Sequence, residues 1–225
     1  MGTNRHRGKI LVCGVGYNDV DAATQRLENG KLVVTPHYGV WKKMFDRCYN
    51  PKHVKAKNYI GCTVHPDWHR FSKFKEWVDT QPQTDWQDLQ IDKDLLVKGN
   101  KVYGPDTCCF LTRRENSVFK PSATKLGSIG YYKKRKKPWQ ARVWKNGKDT
   151  YFGVYSTKEE ADIVAFRVTL KSVIDLANAN PHQFIREAMM RWVDEWKQEL
   201  LLRESAFQKL GEKNNGNGTL QNHLC

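Results

Sequence analysis

The chain has 225 residues, with 38 Lys and Arg against 24 Asp and Glu, a net charge of +14 and a sequence pI near 9.5. That length suits one large domain or two small ones with real cores, and the charge points to a polyanionic partner. No run approaches the roughly 18 apolar residues of a membrane span, and six irregularly spaced cysteines make no disulfide framework, so a reducing cytoplasm is expected.

The first 34 residues read as a leader with one apolar patch at 10–15, too broken by Gly and Cys for a signal peptide. Thr35-Pro36 then supplies a cap residue and a proline at the first helical position. Trp41, Met44, Phe45 and Cys48 follow at helical spacing, and Asn50-Pro51 ends the helix. Residues 52–58 form a basic loop and 59–64 a short strand. A second helix is predicted over 67–78, with Trp68, Phe71, Phe74, Trp77 and Val78 on one core stripe. It is placed to brace a hairpin beginning near Leu89.

Residues 91–116 read IDKDLLVKGNKVYGPDTCCFLTRREN. An acidic strand holds Asp92, a Gly99-Asn100 turn leads to a second strand, and Thr112 with Glu115 forms a capping box for a helix carrying Asn116 in its first turn. This layout resembles the HNH endonuclease family, whose signature has Asp-His on the first strand, Asn before the second, and Asn or His on the helix. Asp92-Lys93 falls over Asp-His, Thr107 over the middle Asn and Asn116 over the last position. The resemblance implies catalytic positions at Asp92, Lys93 and Asn116, with Asp92 and Asn116 as oxygen ligands for Mg²⁺ or another divalent cation. It also puts Lys93 where the family keeps its general base.

A lysine is a poor base, since freeing half of it at pH 7 costs about 4.6 kcal/mol, and carboxylates at 92 and 94 hold its proton more firmly. Loss of a base typically costs about 10²- to 10⁴-fold, which leaves slow cleavage open. Asp94, His65 or His69 are alternative bases. A DNA-docking scaffold with Lys93 on a phosphate is the competing expectation. Zinc is not expected: Cys48, Cys62, His65, Cys108 and Cys109 include no C-x-x-C pair, and adjacent strand residues 108 and 109 point to opposite faces.

Residues 121–155 carry nine Lys or Arg and one acid, Asp149. Three strands are predicted over 128–154, the first pair joined by the basic turn KKRKKP and the second by Asn146-Gly147, a strong hairpin signal. Alternation turns Ile129, Tyr131, Ala141, Val143 and Phe152, with Trp139, toward a following helix that offers Ala161, Val164, Ala165 and Val168. The other face holds Tyr132, Lys134, Gln140, Arg142, Trp144 and Tyr151. Cations and aromatics on one face suit a sheet lying in a DNA groove, and the chain's eight Trp and nine Tyr favour nucleic acid more widely. Ser156-Thr157-Lys158-Glu159 opens a helix running to about Ala177. Asn180-Pro181 starts a last helix containing Phe184, Ile185, Met189, Trp192, Val193 and Trp196, and a Gly- and Asn-rich tail from Gly211 is expected to be disordered.

The motifs Gly130-Tyr131-Tyr132-Lys133, Trp139-Gln140-Ala141-Arg142, Phe152-Gly153-Val154-Tyr155 and Ser156-Thr157-Lys158-Glu159-Glu160-Ala161 resemble the DNA-binding domain of plant ethylene-response factors, the Apetala-type fold. That resemblance covers about 45 residues. It implies contacts to DNA from Tyr132, Lys134, Arg142, Trp144 and Tyr151, while the basic turn Lys133, Lys134, Arg135, Lys136 and Lys137 contacts phosphates. Tyr132 and Trp144 replace arginines of the plant family, so its target sequence does not transfer. Both pieces together, with VWKKMFDRCYNP and YIGCTVHPDW ahead of them, resemble a phage and prophage family of HNH homing-endonuclease-like proteins across roughly residues 10–195. Members share the Asp92-Lys93-Asp94 and Gly99-Asn100-Lys101-Val102-Tyr103 wording, which makes Lys93 a subfamily trait.

The expected fold is α+β: an HNH-like ββα-metal module, then a three-stranded antiparallel sheet packed on a helix, then a C-terminal helical extension. Expected boundaries are a leader at 1–34, the ββα module with bracing helices at 35–120, the sheet domain at 121–178, the last helix at 179–210 and the tail at 211–225. The expected function is binding and metal-dependent cleavage of double-stranded DNA in a bacterial host cytoplasm, without a membrane partner. The alternatives are a catalytically inactive DNA-binding regulator and an RNA- or host-protein-binding accessory factor.

Overall fold

The structure, a computed structural model, describes residues 11–54, 56–120, 128–145 and 148–214. They divide after Pro121 into two units, each with its own core. The fold is mixed α+β. Among the described residues no helix is long and apolar enough to cross a membrane.

In the first unit the expected leader is folded, at least from residue 11. Gly16 lies so close to the Phe45 ring that a Cβ there would sit 2.8 Å from it. Strands β1 (Gln25–Glu28) and β2 (Lys31–Val34) pair antiparallel across Asn29 and Gly30, both at positive φ, the geometry of a tight primed turn. Helix α1 (Pro36–Tyr49) starts and stops as its Pro and Asn-Pro signals predict, and buries Tyr38, Trp41, Met44 and Phe45. Trp41 donates its indole N–H to the Trp68 carbonyl at 2.6 Å, tying α1 to the segment that follows β3 (Thr63–Val64).

The predicted helix over 67–78 is two pieces. A 3₁₀ turn, Pro66–His69, ends at Arg70, whose backbone is extended, and α2 (Phe71–Asp79) follows. Arg70 gives α2 no side-chain cap. Asp19 supplies one from the leader, accepting the Ser72 N–H at 2.8 Å and the Ser72 hydroxyl at 2.7 Å. The apolar stripe reads as expected: Trp68, Phe71, Phe74 and Val78 are buried.

Strands β4 (Gln90–Asp92) and β6 (Cys109–Leu111) pair antiparallel, with Asp92 opposite Cys109. The strand after the Gly99-Asn100 turn, β5 (Val102–Tyr103), pairs elsewhere, parallel to β3. The two strands before the helix are therefore joined by a 16-residue excursion, residues 93–108, and not by a tight Gly-Asn hairpin. Helix α3 (Arg113–Val118) packs on β4 and β6 and carries the full capping box of Thr112 and Glu115. Thr112→Ala removes that cap and is expected to cost about 1 kcal/mol, read as a lower thermal midpoint of the first unit.

In the second unit β7 (Ser128–Tyr131), β8 (Trp139–Lys145) and β9 (Lys148–Tyr155) form an antiparallel sheet in that order. The Asn146-Gly147 turn lies outside the described residues. Ala141 and Val143 pack with Ile129 and Phe152 against Val164, Ala165 and Val168 of α4 (Lys158–Asn178). Two parity expectations fail. Tyr131 is 56 % exposed at the sheet end, tilted on Trp139 at 4.6 Å. Gln140, expected outside, is buried beside a bulge between Gln140 and Arg142, which breaks the alternation there.

Thr157 caps α4 by accepting the Glu160 N–H. Helix α5 (Gln183–Asn214) then returns along α4, with ion pairs Arg203–Asp162 at 2.5 Å and Arg167–Glu204 at 2.6 Å. It continues through 211–214, so the tail expected from Gly211 is helical over those residues. Residues 215–225 lie outside the described ones.

Candidate functional site

A polar cleft of about 570 Å³ lies beside β4 and α3. Asp92 and Asn116 both line it, as do Lys93 and Asp94. Asp92 is buried, and its Oδ1 accepts the N–H groups of Asp94 at 2.9 Å and Leu95 at 2.7 Å. No hydrogen bond engages Oδ2 among the described residues. Burial pushes the Asp92 carboxyl up to about 6, against the pull of those two N–H groups and of Lys93. Asn116 donates its amide N–H to Gln90 Oε1 at 2.9 Å, which fixes the amide and leaves Oδ1 as an available acceptor. Gln90 was not legible as a site residue, although it stands two positions before Asp92.

Lys93 is occupied. Its ammonium reaches Asp94 Oδ1 at 2.8 Å, Asp94 Oδ2 at 2.9 Å and the Asn100 carbonyl at 2.7 Å, so three acceptors take its three N–H groups. Asn100 in turn donates to the Lys93 and Val102 carbonyls, and Thr107, at the middle signature position, donates to the Val102 carbonyl at 2.8 Å. Lys93, Asn100 and Thr107 thus staple the excursion that presents Asp92. Both expected roles of Lys93, base and phosphate clamp, would require this ammonium to give up one of those partners.

The alternative bases fare differently. Asp94 is held by Lys93. His65 accepts the Asp67 N–H and His69 Nε2 lies 3.0 Å from the Val64 carbonyl, and neither lines the cleft. Asp88 does line it, and its carboxylate has no hydrogen-bond or ionic partner among the described residues. Four cations complete the walls: Lys43 and Arg47 from α1, one helical turn apart, and Arg113 and Lys120 from around α3. Arg47 leans on Tyr103 and Tyr59, while Lys43, Arg113 and Lys120 have no ionic partner among the described residues. The Lys43/Arg47 spacing on one helix face was the available sequence signal.

Asp92 Oδ2 and Asn116 Oδ1 suit a hard divalent cation that keeps waters and takes its remaining ligands from a phosphate. Among the described residues no group of three His, Cys, Asp or Glu is placed to hold a metal. Cys108 and Cys109 are both buried, with the Cys108 thiol pushed up to about 12 by burial.

On the second unit the expected outer face is exposed at Tyr132, Trp144 and Tyr151. Lys133, Lys134, Lys136 and Lys137 stand exposed in the turn without ionic partners among the described residues, and Arg135 lies 4.7 Å over the Tyr132 ring. Arg142 is not free: both Nε and Nη2 reach Asp149 Oδ2 at 2.8 Å. Comparison of the chain with protein-family models, with curated proteins and with solved structures finds no match.

Proposed function

We propose that the chain binds double-stranded DNA and cleaves it as a metal-dependent HNH-type endonuclease of the homing-endonuclease-like kind, acting in a bacterial cytoplasm. The observation that carries this reading is one cleft in which an oxygen of Asp92 and one of Asn116 are unengaged, beside Lys43, Arg113 and Lys120, which have no ionic partner among the described residues. Bound there, a cation such as Mg²⁺ supplies Lewis-acid stabilisation of charge on the phosphate. Lys43, Arg113 and Lys120 hold the scissile phosphate, and Gln90 keeps Asn116 turned. Asp88, the free carboxylate, accepts the proton of the attacking water as one P–O ester bond breaks and the leaving oxygen is protonated from solvent.

Supercoiled plasmid incubated with the purified chain is expected to be cut in Mg²⁺ or Mn²⁺ and to stay intact in EDTA. Gln90→Ala should weaken the cation requirement's midpoint about 10- to 100-fold. Asp88→Asn should slow cutting about 10²- to 10⁴-fold, with DNA binding in EDTA unchanged for both. A second reading, a non-cutting DNA-binding regulator, draws on the engaged ammonium of Lys93 at the position where the resemblance keeps a base. Wild-type protein that binds DNA tightly but cuts none with either cation would decide for it.

A further inference from the structure

We propose that the outer face of the β7–β8–β9 sheet holds unpaired bases of a single-stranded nucleic acid, stacked on Trp144 and Tyr151. The proposal concerns the second unit alone and stands whether or not the cleft of the first unit cuts.

Three observations carry it. The side chains that dominate this face are rings: Trp144 is 72 % exposed, Tyr151 51 % and Tyr132 40 %. In the strand register Arg142 stands opposite Tyr151 and Trp144 opposite Asp149. Trp144 and Tyr151 therefore occupy one diagonal of the β8–β9 pair, and the Arg142–Asp149 ion pair the other, within reach of one another. Reading a duplex groove relies on free forks and amides aimed at base edges, and the one guanidinium in this strand pair is spent on Asp149. The face offers ring surface instead, which every base can stack on when it is unpaired.

Charge complementarity identifies the occupant as a polynucleotide rather than an apolar protein partner. Lys133, Lys134, Lys136 and Lys137 stand exposed in the turn at one end of the sheet, without ionic partners among the described residues, a track for a phosphate backbone. Tyr132 lies over Gly130, where a Cβ would sit 3.1 Å from the ring, and Arg135 covers it. A base arriving at that end meets a guanidinium plane, another stacking surface.

The test is fluorescence anisotropy of the full chain in EDTA, with labelled oligo-dT and oligo-rU of about 12 nucleotides, within the range of known single-strand sites, and a duplex of matched length. Trp144→Ala and Tyr151→Ala are each expected to weaken single-strand binding about 10-fold while duplex binding changes less than about twofold. Trp144→Phe should restore most of the loss. Asp149→Ala, which frees Arg142, should strengthen binding of both forms. These positions are exposed, so unchanged circular dichroism and melting are expected throughout. A preference for dT or for rU identifies the sugar, and either supports the proposal. Parallel loss of duplex and single-strand affinity would mean groove docking, and no loss of either would mean the face is not used; both outcomes overturn it. Because no cation is present, these results are independent of whether the wild type cleaves plasmid.

Discussion

Asp92→Asn is expected to abolish cleavage and, at neutral pH, to make the first unit more stable. Burial raises the folded-state carboxyl to about 6 from an ordinary value of 3.8, so the folded chain favours the protonated form. The stabilising effect of that proton is complete below about 3.8 and is lost as pH rises through about 6. Above that the ionised carboxylate costs on the order of 3 kcal/mol. Asparagine keeps an oxygen for the Asp94 and Leu95 N–H groups and carries no charge. Its gain should therefore approach that figure at pH 7.5 and vanish near pH 3.5. Mg²⁺ should stabilise the wild type, since a ligand that binds only the folded state adds stability, and leave Asp92→Asn unmoved. Thermal melts at the two pH values, with and without Mg²⁺, read all of this. A variant less stable than wild type at pH 7.5 would make Asp92 a structural carboxylate instead of a strained ligand.

The parts of this site that were legible in the sequence are the local ones. Thr112 and Glu115 cap α3 through bonds three residues apart, so the motif carries its own geometry. Pro36 and Asn50-Pro51 bound α1 for the same reason. Pairing over distance was not legible. Nothing near Val102 says that its partner is Thr63, reached in parallel 39 residues back, and the Gly99-Asn100 turn suggested a hairpin that the chain does not make. Lys43 and Arg47 come to the cleft from α1 by tertiary packing, which no local motif in 91–116 encodes.

Alternation sorted most of the sheet correctly and failed at Tyr131, exposed at the sheet end, and at Gln140, where a bulge resets it. The Arg142–Asp149 bond was within reach of the sequence. A two-residue Asn-Gly turn puts 144 opposite 149, leaving 142 diagonal to the segment's only acid. The engagement of Lys93 was not legible, because β4 ends at Asp92 and the next residue bends back to its own neighbour.

That bend makes Lys93 the second large expected effect. Its side chain is 8 % exposed and Asp94's 20 %, and breaking such a buried pair from one side strands the other charge, at about 3–5 kcal/mol. Asp94 keeps some contact with solvent, so Lys93→Met is expected near the lower bound, a fall of roughly 10 °C in the first unit's midpoint. Lys93→His should fall as well, since an imidazole cannot donate to both Asp94 oxygens and the Asn100 carbonyl at once. Pairing Lys93→Met with Asp94→Leu removes both charges, and should recover more than half of the loss, a coupling that a double-mutant cycle isolates. Cleavage by Lys93→Met, measured well below its midpoint, should stay within about tenfold of wild type, because all three N–H groups of the ammonium are engaged within the staple. A collapse of about 10²-fold or more with the fold intact would put Lys93 on the substrate, and a faster Lys93→His would restore the base that the resemblance implies.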